Sequence, residues 1–289
     1  MKPIAGKSSE QQLTPLYIVA TPIGNLSDIS KRALEVLSEV DIVLAEDTRH
    51  SKRLFAHYGI TTRLKSCHEH NEESLIEWAA QQLSVGTSLA LISDAGTPLI
   101  SDPGFVLVRA LRAQGFVVLT VPGASSVIAA LSVSGLPSDA FIYDGFLPSK
   151  SSARQTALAT YLHQPRTIIL LESSHRIVAC VEDIVAVLGG QREIVIAREL
   201  TKRFETVLSG PAEQLLAQIK ADEDQQRGEF VVLLSGVPEL DVDEQEIQKV
   251  LGVLMDELPL KQAASIAAKL SGRRKNEVYN LALTLKQGQ

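Results

Sequence analysis

The sequence predicts an α/β protein of two domains with a small helical appendage. Short apolar runs alternate with helical periodicities from Leu16 to Val121, the pattern of βαβ units in a mostly parallel sheet. The second half alternates less strictly. Runs near Thr206 and Phe230 sit beside their neighbours without a helical crossover in every gap, which predicts a mixed sheet. After Gly236-Val237-Pro238 the composition shifts, and only helical spacing remains. The expected division is a disordered tail over 1–14, α/β domains over 15–122 and 123–237, and a basic helical appendage over 238–289.

Leu16 to Ala20 is strand-like and runs into Thr21-Pro22-Ile23-Gly24-Asn25. Asp28 is placed to cap a helix from Ile29 to Glu39, with Ala33, Leu34 and Leu37 on one face. Asp41 to Ala45 is the second strand and ends at Glu46-Asp47-Thr48-Arg49. A short helix from Ser51 to Tyr58 stops at Gly59. Thr62 to Ser66 reads as a third strand. Asn71 to Leu83 is a helix with Leu75, Ile76, Ala79, Ala80 and Leu83 spaced for one face, and Trp78 belongs to that core stripe. Ser88 to Ile92 and Phe116 to Val121 are strands flanking a helix from Phe105 to Gln114.

Pro122-Gly123-Ala124-Ser125-Ser126 spans the expected boundary between the two domains. A small-residue helix follows from Val127 to Ser134 and ends at Gly135-Leu136-Pro137. Strands are expected at Phe141 to Phe146, Thr167 to Leu171, Glu193 to Ala197, Thr206 to Ser209 and Phe230 to Leu234. Helices are expected at Ser151 to Leu162, Arg176 to Leu188 and Pro211 to Lys220. Glu239, Asp241, Asp243, Glu244 and Glu246 then form an acidic cluster. From Lys261 the sign reverses, with Lys269, Arg273, Arg274, Lys275 and Lys286 against Glu277. A helix faced by Ala263, Ala264, Ala267, Ala268 and Leu270, a Ser271-Gly272 turn and a helix carrying Val278 and Leu281 read as a helix-turn-helix.

Composition narrows the function. The chain of 289 residues is 45% apolar, 21% charged and 4% aromatic, with a net charge of −6. Sparse aromatics argue against broad base-stacking platforms. A net negative charge confines any nucleic-acid contact to a local basic patch. Cys67 and Cys180 make no disulfide framework and fit a reducing cytosol. No run approaches the ~20 apolar residues of a membrane span, and the polar Met1 to Thr14 has no signal core. Cys67-His68-Glu69-His70, with His50 and His57, lacks standard zinc spacing, so no metal is expected.

The stretch Ser93 to Gly104 holds the clearest site signal. It follows a buried strand, where open α/β sheets bind ligands, and it is longer than a chain reversal needs. No P-loop, dinucleotide fingerprint or nucleophile elbow is present. Three strand-end loops remain: Thr21 to Leu26, Asp94 to Gly104 and Pro122 to Ser126. Rich in Pro, Gly and small hydroxyls but poor in charge, they suit a ligand with a zwitterionic end and a flat heterocycle better than a triphosphate.

Thr21-Pro22-Ile23-Gly24-Asn25-Leu26, Ala45-Glu46-Asp47-Thr48-Arg49-His50, Ser93 to Gly104 and Arg198-Glu199-Leu200-Thr201-Lys202 resemble the signature segments of the ribosomal RNA small subunit methyltransferase I family, within the tetrapyrrole-methylase superfamily. The resemblance runs from about Leu16 through the appendage. It implies a cytoplasmic homodimer with S-adenosyl-L-methionine in a cleft between two α/β domains. It also implies methylation of a cytidine ribose 2′-hydroxyl in the decoding region of 16S rRNA, within the small ribosomal subunit or as naked RNA. The expected cofactor residues are Pro22, Gly24, Asp94, Gly96, Thr97, Ser125 and Ser126. By the resemblance, backbone near Leu171 and Ala197 completes the pocket.

Methyl transfer from a sulfonium is an in-line displacement, so the protein supplies mainly position and electrostatics. A ribose hydroxyl needs a nearby base or a cation for its alkoxide. Asp47, Glu46, Lys202 and Glu199 are the catalytic candidates, with the identity of the base left open. Arg49, Arg198, Arg203, Arg273, Arg274 and Lys275 are the candidate RNA contacts. An Asp–Arg ion pair at Asp47 and a solvated face at Arg198 to Arg203 are the structural alternatives. Glu172 and His175 follow a strand and resemble an acid–base pair, but His175 reads rather as a helix-entry or substrate contact. A small-molecule tetrapyrrole methyltransferase and a non-catalytic ribosome-binding factor remain alternatives; the basic appendage favours RNA.

Overall fold

A computed structural model describes residues 14–237 and 242–287. The tail over 1–13, and Glu239 and Asp241 of the acidic cluster, lie outside the described residues, as do the side chains of Asp243 and Glu244. The chain forms two compact units. One holds the residues through Ala159 together with Thr167–Ser235; the other holds Thr160–Arg166 and the residues from Gly236 onward.

The first unit carries both expected sheets. Strands β1 (Leu16–Val19), β2 (Ile42–Ala45), β3 (Arg63–Ser66), β4 (Leu89–Ile92) and β5 (Val118–Val121) pair in the order β3-β2-β4-β1-β5, all parallel. Helices α1 (Lys31–Glu39) and α2 (Thr48–Tyr58) cover one face, through Ala33, Leu37, Leu54 and Phe55. Helices α3 (Glu72–Ser84) and α4 (Phe105–Ala113) cover the other, through Leu75, Ala79, Leu83, Leu107 and Leu111. β1 and β4 are neighbours in the sheet, so the loops after them emerge side by side.

Two helix starts differ from expectation, and capping explains both. Asp28 does not cap α1. It ends a short 3₁₀ turn, Leu26–Asp28, while the Ser30 hydroxyl accepts the Ala33 N–H at 3.1 Å and starts the helix at Lys31. α2 begins at Thr48 rather than Ser51, because the Asp47 carboxylate accepts the Arg49 N–H at 2.8 Å.

The second sheet is mixed, as expected. Strands β6 (Phe141–Phe146), β7 (Thr167–Ser173), β8 (Glu193–Arg198), β9 (Thr206–Pro211) and β10 (Glu229–Leu234) pair in the order β6-β7-β10-β8-β9. Only β6 and β7 are parallel; β10 inserts antiparallel between β7 and β8. Helix α5 (Ser126–Ser134) packs Val127, Ala130 and Leu131 on this sheet, and Ile23, from the loop after β1, joins the same core. Helices α6 (Ser151–Ala159), α7 (Ile177–Leu188) and α8 (Ala212–Ala221) complete the unit; α6 ends three residues before the expected Leu162.

Among the described residues the second unit contains three helices, α9 (Val242–Glu257), α10 (Leu260–Ser271) and α11 (Lys275–Gln287). The alanines of α10 pack with Ile247, Leu251, Val278 and Ala282. Gly272 takes φ +72 between α10 and α11, the left-handed C-cap of the expected helix-turn-helix. α9 is additional: its first turn lies in the acidic cluster, which hid the helix.

Candidate active site

Hydrogen bonds join the three loops singled out in the sequence. Thr21 and Gly96 exchange backbone bonds of 2.9 and 3.1 Å, pinning the loop after β1 to the loop after β4. The Thr97 hydroxyl donates to the Ala124 carbonyl at 3.0 Å and fastens the third loop. Gly96 sits at φ +84, and a Cβ there would lie 3.2 Å from the Ile23 side chain, so backbone conformation and space both favour glycine.

Beyond these loops lies a cleft of about 450 Å³. Ile23, Ala95, Asp102 and Ser126, from the strand-end loops and α5, line it together with Leu171, Glu172, Ala197, Glu229 and Val231 of the second sheet. Ser126, Leu171 and Ala197, expected to hold the cofactor, therefore face one space. Pro22, Gly24 and Asp94 line a second cavity instead, of about 290 Å³, with His50, Ser51 and Arg53. Gly96 and Thr97 build the loops, and Ser125 occupies the N-cap position of α5 without a side-chain capping bond.

Three cleft carboxyl groups, Asp102, Glu172 and Glu229, were absent from the expected site. Burial pushes the Asp102 carboxyl up to about 6; the Ser93 hydroxyl opposes the rise, and Glu46 and Asp94 add to it. Glu172 is only 3% exposed. Its Oε1 accepts the Ser173 N–H at 2.8 Å and lies 3.1 Å from the Arg176 Nε. Its Oε2 is buried and has no hydrogen-bond partner among the described residues, so a donor brought by a ligand would satisfy it. His175 is exposed in the turn that enters α7, and Glu172 pairs with Arg176 rather than with it. The signal for Asp102 lay in the Ser93 to Gly104 loop itself; Glu172 gave only its place at a strand end.

The family profile of the Tetrapyrrole (Corrin/Porphyrin) Methylases matches residues 15–216. The chain belongs to the tetrapyrrole methylases. A second profile, the RsmI C-terminal HTH domain, matches residues 241–286. This methylase is 52% identical over 271 residues to the Ribosomal RNA small subunit methyltransferase I of Pseudomonas aeruginosa, covering 93% of this chain and 96% of that relative. It is 49% identical over 278 residues to the protein of the same name from Escherichia coli O157:H7, covering 96% and 97%. Two solved structures share the fold. Cobalt precorrin-4 methyltransferase has a TM-score of 0.56 at 17% identity, covering 80% of this chain and 98% of that one. Uroporphyrin-III C-methyltransferase from Thermus thermophilus, complexed with S-adenyl homocysteine, has a TM-score of 0.52 at 20% identity, covering 76% and 97%.

The charged segments of this methylase separate by role. Asp47 is committed locally: its carboxylate takes the Arg49 Nε at 3.2 Å and a terminal guanidinium nitrogen at 3.0 Å besides the helix N–H. The Arg49 hydrogen bonds lower its carboxyl to about 2, which makes it a weak proton acceptor. Burial raises the neighbouring Glu46 carboxyl, and Asp94 raises it further. Arg198 is only 9% exposed and donates to the carbonyls of Arg227 at 2.6 Å and Phe204 at 3.3 Å, so the RNA contact expected of it does not fit its burial. Lys202 holds Glu199 Oε1 at 2.8 Å and Glu229 Oε2 at 2.9 Å. Burial opposes its charge, but these two carboxylates raise it above the ordinary lysine value, so it remains a cation. Arg203 is exposed, with its guanidinium 5.5 Å from the Phe204 ring centroid. In the second unit Arg274 and Lys275 are exposed, while Arg273 is half-buried beside Ile247 and Val278.

Proposed function

We propose that this methylase transfers a methyl group from S-adenosyl-L-methionine to ribosomal RNA of the small subunit, at the ribose 2′-hydroxyl of a cytidine in the decoding region. The single observation that carries the reading is near-full-length identity, 52% over 93% of the chain, to a protein named Ribosomal RNA small subunit methyltransferase I. The match to the helix-turn-helix profile supports an RNA substrate over a free macrocycle. The domain division at 122/123 remains the working assignment for the two lobes around the cleft.

The cleft suits the cofactor chemically. The orphaned Glu172 Oε2 calls for a hydroxyl or amino donor, and the desolvated Asp102 carboxyl gains from an ammonium partner. When bound, S-adenosyl-L-methionine supplies an electrophilic methyl on a sulfonium. Lys202, anchored by Glu199, offers its positive charge to the alkoxide that develops on the ribose oxygen. Glu46 is the better proton acceptor of the Glu46/Asp47 pair, because burial raises its carboxyl while Arg49 lowers that of Asp47. Arg49, Arg203, Arg274 and Lys275 are exposed cations suited to phosphates. The protein is taken to act as a homodimer, whose interface would cover exposed apolar residues such as Ile128 and Val133 of α5. Among the described residues no helix is long and apolar enough to cross a membrane; a cytoplasmic site of action is part of the proposal.

The test is label transfer from radiolabelled S-adenosyl-L-methionine to unmethylated small subunits and to naked 16S rRNA, with mapping of the labelled nucleotide. Label on a 2′-O-methylcytidine of the decoding region is expected. Label on no rRNA would overturn the reading.

A further inference from the structure

The loops after β1 and β4 do not line one space. Ile23 and Ala95 face the 450 Å³ cleft, whereas their chain neighbours Gly24 and Asp94 face the 290 Å³ cavity. The two segments thus form a shared wall with opposite faces. The cofactor-like features, Glu172 with its orphaned oxygen and the desolvated Asp102, lie on the cleft side only.

We infer that the 290 Å³ cavity is the nucleobase subsite, which takes the target pyrimidine turned out of its strand and reads its exocyclic amino group with the Asp94 carboxylate. The inference rests on the rRNA reading above and adds which residues choose the base. Leu54 and Ile92 are buried and offer apolar walls for a ring face. His50 and Arg53 are exposed and also line the cavity; an imidazole stacks on a base, and a guanidinium pairs with a backbone phosphate. Asp94 is held in place, since its Oδ1 accepts the Asp47 N–H at 3.1 Å. No hydrogen bond is made by its Oδ2 among the described residues. A carboxylate oxygen accepts from the N4 amino group of cytosine and opposes the O4 carbonyl of uracil. An enzyme that works on one nucleotide pays the unstacking cost of exposing it, and a fitted pocket repays that cost.

The test uses small subunits carrying cytidine or uridine at the target position. It reads single-turnover methyl transfer and, separately, calorimetric affinity for S-adenosylhomocysteine. Asp94→Asn keeps an oxygen for the Asp47 N–H and places an amide donor where the second acceptor was. The wild type is expected to favour cytidine by about 100-fold or more. Asp94→Asn is expected to lose at least about 30-fold on cytidine and to narrow or invert the preference, with homocysteine affinity within about threefold. Arg53→Ala, at an exposed position, is expected to raise KM on both templates equally. An unchanged cytidine-to-uridine ratio in Asp94→Asn overturns the inference alone. So does a loss of homocysteine affinity that matches the loss of transfer, because it moves Asp94 to the methyl-donor side. A wild type that labels no rRNA overturns the functional reading and this inference with it.

Discussion

Lys202 lies across Gly24. A Cβ at Gly24 would stand 2.5 Å from Lys202 Cγ and 2.9 Å from Lys202 Cε, so the lysine stem occupies space that any side chain would claim. The lysine's own loop is strained to bring it there, with Glu199 at φ +51 and Thr201 at φ +64. Gly24→Ala is expected to displace Lys202 from Glu199 and lower single-turnover methyl transfer by about 10- to 100-fold. Calorimetric affinity for S-adenosylhomocysteine should stay within about threefold. A wild-type rate in that variant would remove Lys202 from the reaction.

Asp102 links stability to ligand binding. Burial raises its carboxyl from 3.8 to about 6 in the folded protein. A raised carboxyl contributes stability that is present below about pH 4 and lost as pH rises through about 6. Asp102→Asn should therefore melt at a higher temperature than the wild type at pH 7.5, and at nearly the same temperature at pH 4. If Asp102 pairs with the ligand ammonium, wild-type affinity for S-adenosylhomocysteine should weaken as pH falls below about 6. The variant should bind more weakly and without that pH dependence. Calorimetry across pH 5 to 8 checks both.

Glu72 fastens the Ser93 to Gly104 loop to the helix that follows it. Only 5% exposed, it accepts the N–H groups of Gly104 at 2.8 Å, Val106 at 3.0 Å and Leu107 at 3.3 Å, a carboxylate at the start of α4. Glu72→Ala leaves those donors without acceptors and is expected to cost about 3 kcal/mol by urea denaturation. Glu72→Gln, which keeps one acceptor oxygen, should cost about half as much.

Arg154 and Asp183 join α6 to α7 at 2.6 Å with both side chains buried. Arg154→Ala is expected to cost about 3–5 kcal/mol, because it leaves a carboxylate buried and unpaired. Burial alone would raise the Asp183 carboxyl, but hydrogen bonds from Gln155, Arg154 and Ser151 hold it below 3.8. A lowered carboxyl contributes stability that is present above about pH 4 and lost as pH falls through the folded value. Asp183→Asn, with that linkage removed, should lose stability less steeply in acid-denaturation curves than the wild type.

The parallel sheet was legible because four of its five strands are apolar runs bounded by Gly, Pro or Asp turns; β3, Arg63-Leu64-Lys65-Ser66, is not apolar and gave the weakest signal, yet all five fall within two residues of expectation. Helix starts were less so. Thr48-Arg49-His50 is polar and exposed, so nothing apolar announced the first turn of α2, and its cap, Asp47, carried a chemical reading that competed with the structural one. The three loops were found because Gly, Pro and hydroxyl residues cluster there. The sense in which each residue faces was not readable. Arg198 sits in a run of basic and acidic residues that looks solvated, yet its guanidinium turns inward to two carbonyls. Glu172 could be read only as a strand-end partner for His175, whereas its second oxygen is buried and has no hydrogen-bond partner among the described residues.

The fold class, the family and the three strand-end loops were readable in the chain alone, because they depend on local periodicity and on contiguous motifs. Which residues share a space emerged only from the folded chain. Thr21 meets Gly96, Glu172 and Asp102 line one cleft, and Lys202 reaches Gly24, although these segments are far apart in the chain. The raised carboxyl of Asp102 and the division of Ile23 from Gly24 between two cavities follow from that convergence, since desolvation and facing are properties of neighbours that no single stretch of chain contains.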